Sequence, residues 1–190
     1  MASSPAAPLL LASTSPRRRE ILEQLRIPFD AVAPEYEETE DDPVAHALGK
    51  ARSVLAVADG RPVLGCDTEV LCGGRIYGKP AGLEQAEEML ESLSGRTHEV
   101  VSGLALITPM WEEVRHEVTR VTFRGLTPRD IGRYLASGEW EGRAGSYAIQ
   151  GQGAALVERI EGAYLNVVGL PAALLVRLLA ERFPGTYGFG

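Results

Sequence analysis

Apolar residues occur in short continuous runs and in helical repeats along the first part of this chain, a pattern that predicts strands alternating with helices. A compact apolar run, Leu9–Ala12, predicts a buried first strand, and Pro28–Val32 predicts a second. Apolar residues at helical spacing predict a helix from Arg17 to Leu25 between them, with Ser15 as N-cap and Pro16 in the first turn. The chain therefore begins as strand, hydroxyl-rich turn, helix and strand.

A β-hairpin is predicted within the stretch Pro62–Pro80, after a second helix. Apolar residues recur at helical spacing from Pro43 to Ala58, and Asp42 or Asp41 is suited to the N-cap. Farther along, the pair Gly73-Gly74 separates two strand patterns, and glycine takes the positive φ angles of a two-residue turn without steric cost. The strand before this turn is therefore expected to fold back on itself.

The second half of the chain shows the same two periods. The expected elements are a helix Leu83–Leu93, strands Thr97–Ile107 and Val114–Arg124 around a turn at Pro109, a helix from Thr127 to Ala136, a loop Glu139–Gln152, a strand Ala154–Ile160, a link Gly162–Gly169 and a last helix from Leu170 to Arg182. A loop as long as the one predicted here is usually functional when it lies inside a compact domain.

Helices that follow strands, with hairpins between them, indicate an α/β fold with a mixed sheet. The chain has 190 residues, of which 45% are hydrophobic, and this is enough for one substantial core. We therefore expect one domain over residues 9–183. A flexible leader at 1–8 precedes it, and a frayed tail at 184–190 follows it.

Composition and charge narrow the class of protein. The formal net charge is −7, which argues against a stable nucleic-acid partner and against an anionic membrane surface. Cys66 and Cys72 have no Cys or His partners at zinc spacing, so reduced thiols are expected. No secretory signal and no apolar run of about 18 residues is present, so we expect a soluble, cytoplasmic protein.

Basic and hydroxyl side chains stand together at the start of the first predicted helix. Ser13, Ser15, Arg17 and Arg18 lie where free backbone N–H groups and the helix dipole attract anions. Arginines oppose the dipole at this end of a helix, and a bound phosphate would relieve that conflict. The pattern favours a phosphate site, with a solvated basic face as the alternative.

Candidate acids and lysines occur in three further segments. Asp67 lies near the end of the predicted central strand, and Lys79 follows the hairpin. An acidic loop after the second strand offers ligands for a hard metal ion, because Mg²⁺ is usually held by one or two carboxylates and by substrate phosphate. Taken one by one, Asp67 and Lys79 are at least as compatible with a turn-capping aspartate and a solvated lysine. For Lys50 on the second helix, an exposed lysine is the commoner outcome.

Six short blocks carry a resemblance to the Maf (septum formation protein) family. They are Leu11–Arg18, Gly65–Thr68, Gly78–Pro80, Leu93–Thr97, Gly145–Gly151 and Val167–Pro171. The resemblance implies a house-cleaning nucleoside triphosphate pyrophosphatase that forms the monophosphate and pyrophosphate with a divalent cation, Mg²⁺ or Mn²⁺. It also implies an elongated α/β structure with a mixed sheet and a central cleft, related to inosine triphosphatases, a homodimer, and a link to cell division arrest.

The same resemblance assigns roles to the polar residues. Asp67 matches the catalytic aspartate, and Glu37 matches a second catalytic acid that holds the metal with it. Because the acidic loop is poorly patterned, Glu35 or Glu38 could take the place of Glu37. Lys50 and Lys79 also match catalytic positions.

Substrate binding is assigned in the same way. Ser13, Arg17 and Arg18 match polar positions of the family's cleft. Arg17, Thr68 and Gln150 match the positions that distinguish the subgroup acting on dTTP and UTP from the subgroup acting on 7-methyl-GTP, so a pyrimidine substrate is expected.

Two other classes of function use some of the same residues. A non-enzymatic adaptor for cell division or nucleic acid would use the cluster Arg17–Arg19, but it leaves Asp67 and Lys79 without a role. A phosphatase or kinase would use the phosphate-binding turn, but the chain has no GxxxxGK[ST] loop. The sequence therefore favours the pyrophosphatase.

Overall fold

A computed structural model describes residues 7–38 and 42–190 of the chain. The helices and strands follow in the order β1 (Leu9–Ala12), α1 (Pro16–Gln24), β2 (Phe29–Val32), α2 (Pro43–Ser53), β3 (Val63–Cys72), β4 (Arg75–Tyr77), α3 (Leu83–Leu93), β5 (Thr97–Thr108), β6 (Trp111–Phe123), α4 (Pro128–Leu135), β7 (Val157–Glu161), α5 (Tyr164–Val168) and α6 (Ala172–Arg182). Short 3₁₀ turns occur at Leu55–Val57, Ala144–Ser146 and Gln152–Leu156.

The strands form one mixed sheet of seven, which confirms the expected fold class. Its order is β2-β1-β3-β5-β6-β7, and β4 pairs with β3. Strand β1 runs parallel to both β2 and β3, whereas the pairs β3–β4 and β6–β7 are antiparallel. The β3–β4 hairpin turns at Gly73 and Gly74, whose φ angles are 60° and 80°, as the glycine pair predicted.

Contacts divide the chain into two compact units. The first comprises residues up to Asp67 together with Ser102–Glu117 and Gly169–Gly190, and the second comprises Thr68–Val101 and Val118–Val168. Strands β3, β5 and β6 each contribute residues to both units.

The core of the first unit lies where α2 packs on the sheet. Its buried members are small or branched aliphatic residues, namely Leu10, Ala12, Ala47, Ala51, Val54, Ala58, Val63, Ala105 and Ile107. The helix approaches the sheet closely at two glycines. A Cβ at Gly65 of β3 would collide with the carbonyl of Ala47, and a Cβ at Gly103 of β5 would collide with the carbonyl of Pro43. Glycine at these two positions therefore allows α2 to lie directly on β3 and β5.

The second unit contains a buried aromatic cluster and a buried amide. His98, Phe123 and Tyr147 pack edge to face with centroid distances of 4.8 to 5.4 Å. Asn166 donates to the carbonyl of Val100 at 3.0 Å and to the hydroxyl of Thr119 at 3.1 Å. These contacts fix α5 against the strands of this unit.

Several element boundaries differ from the sequence expectations. Helix α2 ends at Ser53 instead of Ala58, where the Ser53 hydroxyl donates to the Lys50 carbonyl and competes with the next helical bond. Strand β7 begins at Val157, because the residues expected to open it form a 3₁₀ turn instead. The expected link 162–169 contains helix α5.

Two helices are capped by side chains at their N-termini, and the cap of α2 agrees with its sequence signal. Asp42 accepts a hydrogen bond from the Val44 N–H at 2.8 Å, so it caps α2, while Asp41 lies outside the described residues. Thr127 and Asp130 form a capping box at the start of α4.

Of the expected leader, only Ala7 and Pro8 are described. In the tail, Tyr187 is buried and its hydroxyl donates to the Ala7 carbonyl at 3.0 Å, so this residue is attached to the first unit. Within residues 7–38 and 42–190, no helix combines the length and the apolar character that crossing a membrane requires.

Candidate active site

An aspartate and a lysine form the centre of a polar cluster in the first unit. Asp67 follows Gly65 by two residues on β3, so both face α2, and α2 carries His46 and Lys50 one turn apart. The Lys50 ammonium donates to Asp67 Oδ1 at 2.5 Å, and His46 Nδ1 lies 3.4 Å from Asp67 Oδ2. The close approach of α2 at Gly65 therefore brings the His46 imidazole, the Lys50 ammonium and the Asp67 carboxylate together.

A second carboxylate completes this cluster. Glu38 Oε1 lies 2.5 Å from the Lys50 ammonium, and its side chain is 52% exposed, whereas Lys50 itself is buried. One ligand atom each from Glu38, His46 and Asp67 can be chosen so that all lie within 4.8 Å of one another. Carboxylate oxygens near an imidazole nitrogen are a donor set that suits Mn²⁺, and carboxylates suit Mg²⁺. A cation already sits between the two carboxylates, namely the Lys50 ammonium, so the donor set fits a cation.

The electrostatics of the cluster keep Asp67 ionised. Burial alone would raise the pKa of its carboxyl, but the charge and hydrogen bond of Lys50 outweigh burial and lower the pKa. The charge of Arg18 and the hydrogen bond with His46 act in the same direction. The pKa of Asp67 is therefore held below its usual range, and the group carries a negative charge at neutral pH.

The start of α1 positions Arg18 through two hydrogen bonds. Its Nη1 donates to the Ser13 hydroxyl at 3.2 Å, and its Nε donates to the Gly169 carbonyl at 2.9 Å. Ser13 is buried and also accepts from the Ser15 N–H at 3.1 Å. Ser15 occupies the N-cap position as expected, but its side chain makes no capping bond. Arg18 is thus fixed in place, and its positive charge lowers the pKa of the Asp67 carboxyl.

The other arginines of the cluster differ in exposure. Arg17 is half-buried, and its Nε would lie 3.9 Å from a Cβ built at Gly169. Arg19 is exposed. Of the three arginines, Arg17 and Arg18 therefore approach the turn at Gly169, which belongs to the block Val167–Pro171.

Three candidate residues belong to the second unit. Thr68 is half-buried on β3 directly after Asp67, Lys79 is exposed between β4 and α3, and Gln150 is exposed in the loop before the last 3₁₀ turn. The Gly145 N–H donates to the Gly78 carbonyl at 3.2 Å. The segments that carry Lys79 and Gln150 are therefore in direct contact.

Two residues of the cluster differ from those selected on sequence. Glu37 is exposed, and the acid that reaches Lys50 is its neighbour Glu38, one of the two alternatives for this position. His46 was missed. Its signal was the i, i+4 spacing with Lys50 on an otherwise apolar helix face, which places both side chains toward the same strand.

The mixed α/β sheet and the ionised Asp67 beside two cations define the class to which this protein belongs. The chain is a member of the Maf family, since the model for "Maf-like protein" matches residues 8–182.

The chain is similar to several proteins named dTTP/UTP pyrophosphatase. The one from Gloeobacter violaceus is 49% identical over 180 residues, which cover 91% of this chain and 95% of the relative. The one from Moorella thermoacetica is 49% identical over 181 residues, covering 90% and 93%. The one from Bacillus mycoides is 46% identical over 180 residues, covering 91% and 94%.

Proposed function

We propose that this protein is a nucleoside triphosphate pyrophosphatase that hydrolyses dTTP and UTP to the monophosphate and pyrophosphate. The observation that carries the proposal is the ionised Asp67 held between Lys50 and His46, in a chain nearly half identical to dTTP/UTP pyrophosphatases. Modified pyrimidine triphosphates, such as 5-substituted uridine or cytidine triphosphates, are further candidate substrates.

Hydrolysis between the α- and β-phosphates requires an oriented water molecule and a group that accepts its proton. Asp67 is charged at neutral pH, so it serves as the acceptor and orients the water. Its low pKa makes it a weak base while Lys50 contacts it. Movement of the Lys50 side chain to a phosphate oxygen would release Asp67 Oδ1.

The negative charge that develops on pyrophosphate needs compensation from fixed cations. Arg18 is already oriented by Ser13 and Gly169, and only two of the five N–H donors of its guanidinium are used in these bonds. Arg17 and Lys50 lie in the same unit and contribute further positive charge. Lys79, in the second unit, keeps the catalytic role that the family resemblance implies.

Asp67 and Glu38, with His46 beside them, would hold the divalent cation, and we assign to Glu38 the role predicted for Glu37. When bound, Mg²⁺ or Mn²⁺ neutralises phosphate charge and polarises the phosphoryl group. Side chains carry out the remaining steps: Asp67 accepts the proton of the water, and the arginines bind the phosphate oxygens.

Recognition of the nucleobase is assigned to Gln150 and Thr68, and Arg17 is the third position of the subgroup signature. A glutamine amide offers one donor face and one acceptor, which complements the O4 and N3–H edge of uracil or thymine. Adenine would leave these groups unpaired, and an unpaired buried polar group costs about 1–3 kcal/mol. Guanine carries the same acceptor and donor at O6 and N1–H, so guanine nucleotides are disfavoured by the size of the two-ring base. The proposal therefore ranks dTTP and UTP above ATP, GTP and 7-methyl-GTP.

The experiment that tests the function measures products as well as rates. Wild-type protein is incubated with Mg²⁺ or Mn²⁺ and with dTTP, UTP, CTP, ATP, GTP and 7-methyl-GTP, and pyrophosphate and orthophosphate are quantified separately. Pyrophosphate from dTTP and UTP is expected. Release of orthophosphate would indicate a phosphatase, and no reaction with any nucleotide would favour the adaptor.

The variant Gln150→Ala tests the assignment of the base-reading residue. The ratio of kcat/KM for dTTP to that for 7-methyl-GTP is expected to fall, with a smaller change in kcat for dTTP. Gln152→Ala, an exposed glutamine two residues farther along at the start of the 3₁₀ turn, is the matched control. An unchanged ratio in Gln150→Ala would remove this residue from base selection.

The homodimer, the cytoplasmic location and the link to cell division arrest remain part of the proposal as the family resemblance implies them. Light scattering on the purified protein tests the dimer. The adaptor is not favoured, because Arg18 of its basic cluster is engaged in internal hydrogen bonds.

A further inference from the structure

Lys50 contacts both carboxylates that are assigned to the divalent cation. Its ammonium lies 2.5 Å from Asp67 Oδ1 and 2.5 Å from Glu38 Oε1. Because the side chain is buried, these contacts are made in a region that water screens only partly. The lysine therefore occupies the position between the two oxygens where a cation would bind them together.

We propose that Lys50 is an internal competitor of the divalent cation, so that the nucleotide-free protein binds the cation weakly and the cation enters together with the nucleotide. The inference rests on the proposed function, because it needs a triphosphate to release the lysine. It assigns Lys50 a role in the order of binding, in addition to the phosphate contact proposed above.

The charges explain why the two cations compete. Asp67 and Glu38 contribute two negative charges, and the Lys50 ammonium neutralises one of them. A divalent ion that approaches both carboxylates meets this ammonium at contact distance, and the repulsion weakens its binding. A lysine side chain has four rotatable bonds and a compact charge, so it can move to another acceptor without a change in helix α2.

A triphosphate supplies that acceptor. Its oxygens are stronger acceptors for an ammonium group than water is, and they bring their own negative charge to the divalent ion. Moving Lys50 to phosphate frees the facing oxygens of Asp67 and Glu38. Binding of the nucleotide and of the cation should then favour each other by the same factor, as thermodynamic linkage requires.

The test measures Mn²⁺ binding directly, from the electron paramagnetic resonance signal of free Mn²⁺. The full-length wild type is compared with Lys50→Met, which preserves the length and apolar stem of the side chain and removes its charge. Arg52→Met is the matched control, since it removes the same charge from the same helix, where Arg52 pairs with Glu112. Each protein is titrated alone and with the α,β-imido analogue of dUTP, which resists cleavage at this bond.

Without nucleotide, Lys50→Met is expected to bind Mn²⁺ at least ~10-fold more tightly than wild type, and Arg52→Met within ~2-fold of wild type, because only Lys50 lies at contact distance from the carboxylates. With the analogue, wild-type affinity is expected to rise at least ~10-fold above that of protein or analogue alone. The increase in Lys50→Met should be smaller. A larger rise in Tm on adding Mn²⁺ to Lys50→Met than to wild type provides a second readout.

Equal Mn²⁺ affinity in nucleotide-free wild type and Lys50→Met would overturn the inference, as would a wild type whose affinity does not change with the analogue. If Lys50→Met does not fold, Lys50→Gln replaces it, and a wild type whose affinity is unchanged by the analogue still refutes the inference. Pyrophosphate release is measured on the same wild-type preparation. Release without a Lys50 effect refutes only the competitor, and a Lys50 effect without release refutes only the proposed reaction.

Discussion

Acid lability is expected from one buried histidine in the second unit. His98 is 1% exposed and packs edge to face against Phe123 and Tyr147. Its Nε2 lies 2.9 Å from the Tyr147 hydroxyl, and its buried Nδ1 makes no hydrogen bond within the described part of the chain. A protonated imidazole would place an unpaired donor in an apolar site, so burial lowers the pKa of His98 from 6.5 to about 4.

The sign and size of the effect follow from this shift. The folded protein holds His98 neutral, and the unfolded chain takes up a proton as the pH falls below 6.5. The free energy of unfolding therefore decreases as the pH falls from 6.5 to about 4, and it stops decreasing once the folded state is also protonated. The full loss is about 3 kcal/mol, of which about 2 kcal/mol should be lost by pH 5.

Equilibrium urea denaturation of wild type and His98→Gln at pH 7.5 and pH 5 measures this contribution. Glutamine does not titrate, and its amide can form a hydrogen bond with the Tyr147 hydroxyl. The variant should lose about 2 kcal/mol less than wild type between the two pH values, whatever its stability at pH 7.5. His116→Gln, an exposed histidine on β6, is the control and should lose as much as wild type.

The comparison of differences removes the contribution of the carboxylates, which titrate in both proteins. If wild type and His98→Gln lose the same free energy between pH 7.5 and pH 5, burial of His98 is not the cause of acid lability. If His116→Gln loses less unfolding free energy than wild type between these pH values, then His116 contributes to the acid lability and the effect does not come from His98 alone.

Three further predictions concern the proposed reaction. Asp67→Asn keeps the shape of the side chain but loses its charge, so pyrophosphate release should fall at least ~10²-fold in a folded variant; a near-normal rate would exclude Asp67 as the proton acceptor. Arg18→Lys removes the planar guanidinium that donates hydrogen bonds to both Ser13 and Gly169, so KM for dTTP should rise about 10-fold with a smaller change in kcat. An unchanged KM would contradict phosphate binding by Arg18. Chelation of divalent cations should abolish activity and added Mg²⁺ or Mn²⁺ should restore it, whereas full activity in excess chelator would refute the need for a cation.

Local sequence rules correctly predicted most of the elements. The glycine pair in the β3–β4 turn and Asp42 at the start of α2 each act within a few residues, and the structure shows both as expected. Boundaries were less accurate where a side chain competes with the backbone, as at the end of α2, because helical periodicity does not show such a bond. The family was also recognisable, since its short blocks depend only on residue order.

The composition of the polar cluster was decided by tertiary packing. The sequence pointed to Asp67 and Lys50 but left the second acid open among Glu35, Glu37 and Glu38, and it did not indicate His46. Glycine at 65 and 103 allows α2 to approach the sheet, and this distance determines which side chains of the helix reach Asp67.

Local sequence rules likewise could not predict the hydrogen-bond partners of Arg18. Its hydrogen bond to the Gly169 carbonyl joins residues 151 positions apart in the chain. The sequence alone determined that a basic, hydroxyl-rich turn opens α1. Tertiary structure decided that one of its arginines is held by a distant carbonyl and lowers the pKa of Asp67, because charges interact according to their distance in space and not their separation along the chain.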